Sequence, residues 1–151
     1  MANKVKAGYL FNFAKFVEWP RECFQTKDSP IIVAVLGKDS IAEDIQATLQ
    51  GTAIDGHPLE VRLVPETTEA LDCHLLFICA SERKRLPKIF EIQRGKHILT
   101  VSDMEHFNED GGMICLRKEG VNIRFEINQK DAEKAGLKIS SKLLQLAKPG
   151  R

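Results

Sequence analysis

The strongest constraint on this chain is one junction, "PIIVAVLG" followed by "KDSIAEDIQATLQG", residues 30–51. The first run is short, rich in β-branched residues, preceded by Pro30 and closed by Gly37, which reads as a strand buried on both faces. The second repeats apolar residues at helical period, with Ile41, Ile45 and Leu49 in a stripe. Asp39 or Ser40 is its N-cap and Gly51 its stop. A doubly buried strand that feeds a helix is the opening of a βαβ unit. "LEVRLV" then alternates as a second strand and "HLLFICA" is a third buried run. "SERKRLPKIFEIQRG" supplies another helix ending at Gly95, and "HILTVSD" is a fourth strand. This alternation predicts an α/β fold: a mixed, mainly parallel sheet with helices on both faces.

The pattern changes after Ser102. "DMEHFNED" reads as a short helix, and in "GGMICLRKEGVNIRFEIN" two strand-like runs flank Lys118-Glu119-Gly120, the pattern of an antiparallel hairpin at the C-terminal edge. "QKDAEKAG" gives helical turns and "LKISSKLLQLA" a final helix. At the other end, residues 6–20, "KAGYLFNFAKFVEWP", hold the only Tyr and Trp of the chain and three of its eight Phe. On a helical wheel Val5, Tyr9, Leu10, Phe13, Phe16 and Val17 share one face, and Trp19-Pro20 ends the helix. Phe11 falls on the polar side, so it packs on something else or faces solvent. With 151 residues, 43% of them hydrophobic, and no linker or repeat, residues 1–151 are expected to form a single domain.

Charge and motif narrow the function classes. Lys and Arg number 22 against 21 Asp and Glu, a net +1, so no global field attracts nucleic acid. The apolar runs are far shorter than the roughly 20 residues of a membrane span, so no direct membrane insertion is expected. The turn "VLGKDS" lies where open α/β sheets bind ligands, yet neither G-x-G-x-x-G nor G-x-x-x-x-G-K-[ST] occurs, and Gly37 reads as a turn residue. There is no G-x-S-x-G, and His57, His74, His97 and His106 are scattered. No enzyme, cofactor or metal site is expected. Cys73 and Cys79, six apart in one strand, stand too far apart to pair, whereas a bridge from Cys115 to another cysteine stays open.

Interaction surface has better support. In the last helix Leu137, Ile139, Leu143, Leu144, Leu146 and Ala147 span an arc of roughly 180°, wider than the roughly 100° that one core requires. Either one edge of that arc is free for a partner, with Ile139 the exposed member beside Lys138, or the helix is buried on two sides. Phe11 and Trp19, if exposed, would be a patch for a second subunit.

The blocks "KAGYLFNFAKFVEWP", "VAVLGKDS", "LDCHLLFICASE", "ILTVSDMEHFNEDGGMICL", "VNIRFEIN" and "AEKAGLKISSKLLQLA" stand in an order and spacing that resembles the YfiR family, from Lys6 to Ala147. The resemblance implies a periplasmic, often dimeric α/β protein that restrains an inner-membrane diguanylate cyclase of the YfiN type by binding its periplasmic sensor region. Its release would raise cyclic di-GMP and favour biofilm. Residues 1–10 carry no secretory signal, so the implied export places a leader outside this chain. By the same resemblance the cyclase contact falls in the C-terminal region, on Val121, Glu133 and Ile139. Family disulfides point to Cys73 and Cys115, with Ala34 and Asn122 standing where their partner cysteines would be. A second reading is a small-molecule-sensing periplasmic binding protein, with its ligand near the strand ends or at a dimer interface.

Overall fold

A computed structural model describes residues 2–147. The elements in chain order are α1 (Ala2–Phe16), β1 (Val17–Glu18), β2 (Ile31–Leu36), α2 (Ile41–Leu49), β3 (Ala53–Ile54), β4 (His57–Val64), β5 (Leu75–Ile78), α3 (Leu86–Ile92), β6 (Leu99–Ser102), β7 (Ile114–Glu119), β8 (Asn122–Ile127), α4 (Gln129–Lys134), β9 (Lys138–Ile139) and α5 (Ser141–Leu146). The main sheet has the order β3-β4-β2-β5-β6-β7-β8. Its five central strands are parallel, and β3 and β8 run antiparallel at the two edges. The mixed, mainly parallel α/β architecture and the antiparallel C-terminal hairpin are therefore as the sequence predicts.

Period-2 packing divides the buried residues between two faces. Val33, Val35, Leu75, Phe77, Leu99, Val101, Leu116 and Phe125 point to the side covered by α1 and α2. Ala34, Leu36, Leu76, Ile78 and Cys115 point to the side covered by α3 and by the turns that hold Met104 and Phe107. The aromatic first helix is mostly core, as expected: Leu10 and Phe13 are fully buried, and Tyr9 and Phe13 close on Phe125 at ring distances of 5.6 and 5.1 Å. Val5 departs from that reading and is half exposed, while Ala7 and Ala14 are buried instead. The buried stripe thus runs through the small residues that let α1 lie close to the sheet.

One expected short helix is absent, and the last one is shorter than its apolar pattern suggests. Residues 103–110 form successive turns, with His106 at φ 63°, a left-handed conformation that interrupts a right-handed helix. The last helix begins only at Ser141, because Ser140 caps it by accepting from the Lys142 amide. Lys138 and Ile139 before it form β9, which pairs antiparallel with β1, Val17 opposite Ile139. Ile139 is consequently 8% exposed, buried in the core beside β1 rather than offered to a partner.

Candidate functional site

At the carboxyl ends of β2 and β5 the strand connections diverge, the usual place for a ligand crevice. Here it is filled. Gly37, at φ 115°, lies so close to the next connection that a Cβ on it would stand 2.7 Å from both Cys79 Cβ and Ser81 Oγ, and Ser81 Oγ accepts from the Lys38 amide. Ser81 therefore ties two turns together instead of capping its helix.

The surface that stands open is the β7–β8 hairpin. Glu119 pairs with Asn122, so the loop is the two residues Gly120 and Val121, with Gly120 at φ 63°. A positive φ at the first loop position suits the right-handed twist of the strands and calls for Gly there. Val121 at the tip is 97% exposed, the most exposed large apolar side chain among the described residues. Below it, Arg117 and Arg124 sit directly opposite each other on one face. Like charges so placed repel. Glu126, one pair further down, takes Arg117 at 3.0 Å. Beside this face a cleft of about 500 Å³ is lined by Arg117, Glu126 and Cys115, by turn residues including His106, and by the Lys6–Asp103 ion pair at 2.9 Å.

The structure scatters the other predicted residues. Glu133 is exposed on α4, at the amino end of the sheet where Asn128 bonds Met113. The six-residue length of β7 separates it from Val121 by about 20 Å. Val121, Glu133 and Ile139 therefore do not form one patch. Trp19 is 9% exposed and donates its indole N–H to the His74 carbonyl at 2.9 Å, so it is core, not a subunit surface. Phe11 is half-buried against the same core.

All four cysteines are free thiols. Cys115 is level with Ser102 of β6 and hence with Ile78 of β5, five residues along and two strands across from Cys73. That is roughly 20 Å, against the 7 Å limit for a disulfide. Asn122 is no nearer a partner for Cys115, which faces Glu126. Burial pushes the Cys73 and Cys79 thiols up to about 12 and Cys115 to about 11, and raises Cys23 with help from Glu22. None is poised as a thiolate nucleophile.

Sequence reasoning missed the stack at the amino end. His74 accepts from the Ile32 amide through Nδ1 at 3.0 Å, and its Nε2 meets the Cys23 carbonyl at 3.0 Å. Phe24 stacks on it at 4.7 Å and 11°, and on its far side meets His57 at 4.5 Å. Burial lowers the His74 pKa below its ordinary value. The Cys73-His74 dipeptide was visible, but its meaning lay in Phe24, fifty residues away. The stack pins residues 20–30 to the sheet.

What fold and surface define together is an α/β protein whose exposed feature is a strand edge with an apolar tip. The chain belongs to the YfiR/HmsC-like family, which it matches over residues 3–148. That membership places it among periplasmic regulators of a diguanylate cyclase pathway rather than among enzymes. Among the described residues no helix is long and apolar enough to cross a membrane, and no group of three or more metal-ligating side chains gathers.

Proposed function

We propose that this chain, acting as one YfiR-like domain, is a negative regulator that works by protein contact. It binds the periplasmic sensor region of an inner-membrane, YfiN-type diguanylate cyclase and so lowers cyclic di-GMP signalling and biofilm formation. The observation that carries the contact is Val121, a large apolar side chain almost wholly in water at the tip of a two-residue turn. Such a group gains by burial in a partner's pocket, by roughly 1.5–3 kcal/mol if it is enclosed fully. Binding then holds the cyclase in its inactive form to the extent that the inactive form is bound more tightly. Glu133 is a second contact point, separate from the first. Ile139 acts through the fold, by seating α5 against α1.

The test is calorimetric titration of the chain into the isolated periplasmic region of the cyclase from the same genome. Saturable binding is expected, weakened at least about tenfold by Val121→Asp, the loss of roughly 1.4 kcal/mol or more. Unchanged binding in that variant removes the tip from the contact, and no heat at all removes the reading. The cleft beside Lys6 and Arg117 supports the small-molecule alternative. Thermal-shift screening against nucleotides and amino acids tests it, because a ligand of the folded form raises the melting temperature.

A further inference from the structure

Gln93 is the one buried side chain among the described residues whose polar atoms have no partner at either end. It follows the last turn of α3, with its backbone amide bonded to the Ile89 carbonyl at 3.0 Å, and it is 7% exposed. Neither its Nε2 nor its Oε1 meets a donor or acceptor of the described residues. Asn108 also has an unpaired oxygen, but its nitrogen donates to the Met113 carbonyl at 3.0 Å. A buried carboxamide bonded to nothing destabilises the fold that holds it, where a methionine of similar length packs without that penalty.

Gln93 lines a cleft of about 480 Å³ at the amino ends of β6 and β7. Arg94, Lys96 and Lys134 border the same cleft, all exposed and none in an ion pair among the described residues. Its two carboxylates are already engaged: Asp110 takes Arg83 at 2.9 Å, and Asp131 accepts from the Asn128 side chain at 2.7 Å. Positive charge at the rim is therefore in excess. The Phe90 ring lines the wall, and Thr100, which accepts from the Met113 amide at 3.1 Å, keeps a hydroxyl proton to give.

We propose that this cleft is a binding site for a small anion that carries a flat donor–acceptor edge: a lactam, a primary amide or a nucleobase. The unpaired cations take the negative charge, and the Gln93 side chain turns about its own torsions to meet the edge with both of its amide atoms. A primary amide presents N–H and C=O side by side, so its complement does the same. An ordinary peptide bond does not, because in the trans form the two groups point to opposite sides. Peptides and acylated amino acids are thereby excluded. Binding favours the turned-out side chain over the buried one, since only there do both amide atoms find partners. The site stands at the opposite end of β6 and β7 from the cleft beside Lys6 and Arg117, and it rests on neither that cleft nor the cyclase contact.

Thermal-shift titration of the full chain tests it with two probes, pyroglutamate and uridine monophosphate, each between about 0.1 and 10 mM. N-acetylglycine, an anion with a trans amide, and inorganic phosphate are the controls. The expected result is a saturable rise in melting temperature with one probe or both, and none with the controls. A response to pyroglutamate alone identifies an amino-acid lactam as the source of the edge, and one to uridine monophosphate alone a nucleobase. In Gln93→Met the free chain is expected to melt higher, while the dissociation constant of the probe rises at least about tenfold. Lys134→Ala, at an exposed position, is expected to weaken binding with the melting of the free chain unchanged. No response to either probe overturns the proposal, as does an equal response to phosphate or N-acetylglycine. Binding unaltered in Gln93→Met or in Lys134→Ala overturns it too. So does a Gln93→Met chain that melts lower, which would mean that the amide is already bonded within the fold.

Discussion

The two edges of the sheet are finished differently. On the β4 side the outward Leu59 amide is bonded to the Thr52 carbonyl and the Val61 amide to Gln50 Oε1, while Pro58, facing β3, has no amide to offer. A glutamine side chain there imitates the strand that is missing. On the β8 side Tyr9 is the one group among the described residues that is bonded to the outward row, and the strand carries the exposed Arg124 and the half-buried Glu126. An unpaired edge is a standing risk of indiscriminate association, which proteins suppress by covering it or by charging it. One edge here is covered, and the other is charged.

That contrast can be broken or sharpened by mutation. The largest effect is expected from Phe125→Ala, which empties a site 3% exposed between Phe13 and Tyr9 and should cost about 3–5 kcal/mol in urea denaturation. A loss below about 1 kcal/mol would mean that the hairpin is not anchored by this ring. Gln50→Ala is smaller, about 0.5–1.5 kcal/mol for one lost hydrogen bond. It should speed amide exchange at Val61 and leave Phe125 alone. Equal acceleration at both would show that the edges are not independent.

The smallest effect, and the control, is acid. His74 lies between the edges, neutral, with its ring nitrogens committed to Ile32 and Cys23. Its folded pKa is lowered, so the unfolded chain binds the proton more readily below its ordinary value of about 6.5. Stability contributed by the neutral ring is full above that pH and is lost as pH falls through the folded pKa. Chemical denaturation across this window should show the decline, flattened in His74→Gln. The difference between Val61 and Phe125 exchange should persist until global unfolding.

Much of this architecture could be read from residues alone. "PIIVAVLG" and "HLLFICA" are doubly buried strands by composition, and Gly120 announces its turn. Ile139 could not be placed so easily. Its spacing from Leu143 suits a helix, and only the Ser140 cap, an ambiguous signal beside Ser141, marks where the helix starts; the strand before it exists because Val17 is there to pair with. Val5 failed for a related reason, since a helical wheel gives direction but not where the sheet ends. The predicted contact residues share a sequence region, yet a strand's length lies between Val121 and Glu133. Which amides of β8 face outward depends on the loop being two residues, a matter of register that no periodicity in the sequence decides.

The pairing of Val17 with Ile139 also has a kinetic meaning. It closes a loop over most of the chain, the kind of contact whose entropy must be met before it gives anything back. A chain that emerges N-terminus first, from a ribosome or through a translocation pore, has α1 ready early but nothing to seat β1 until Ile139, more than a hundred residues later, arrives. Until then the aromatic face of α1 is without its final cover, and the interval between those two events is when this protein would most need a chaperone.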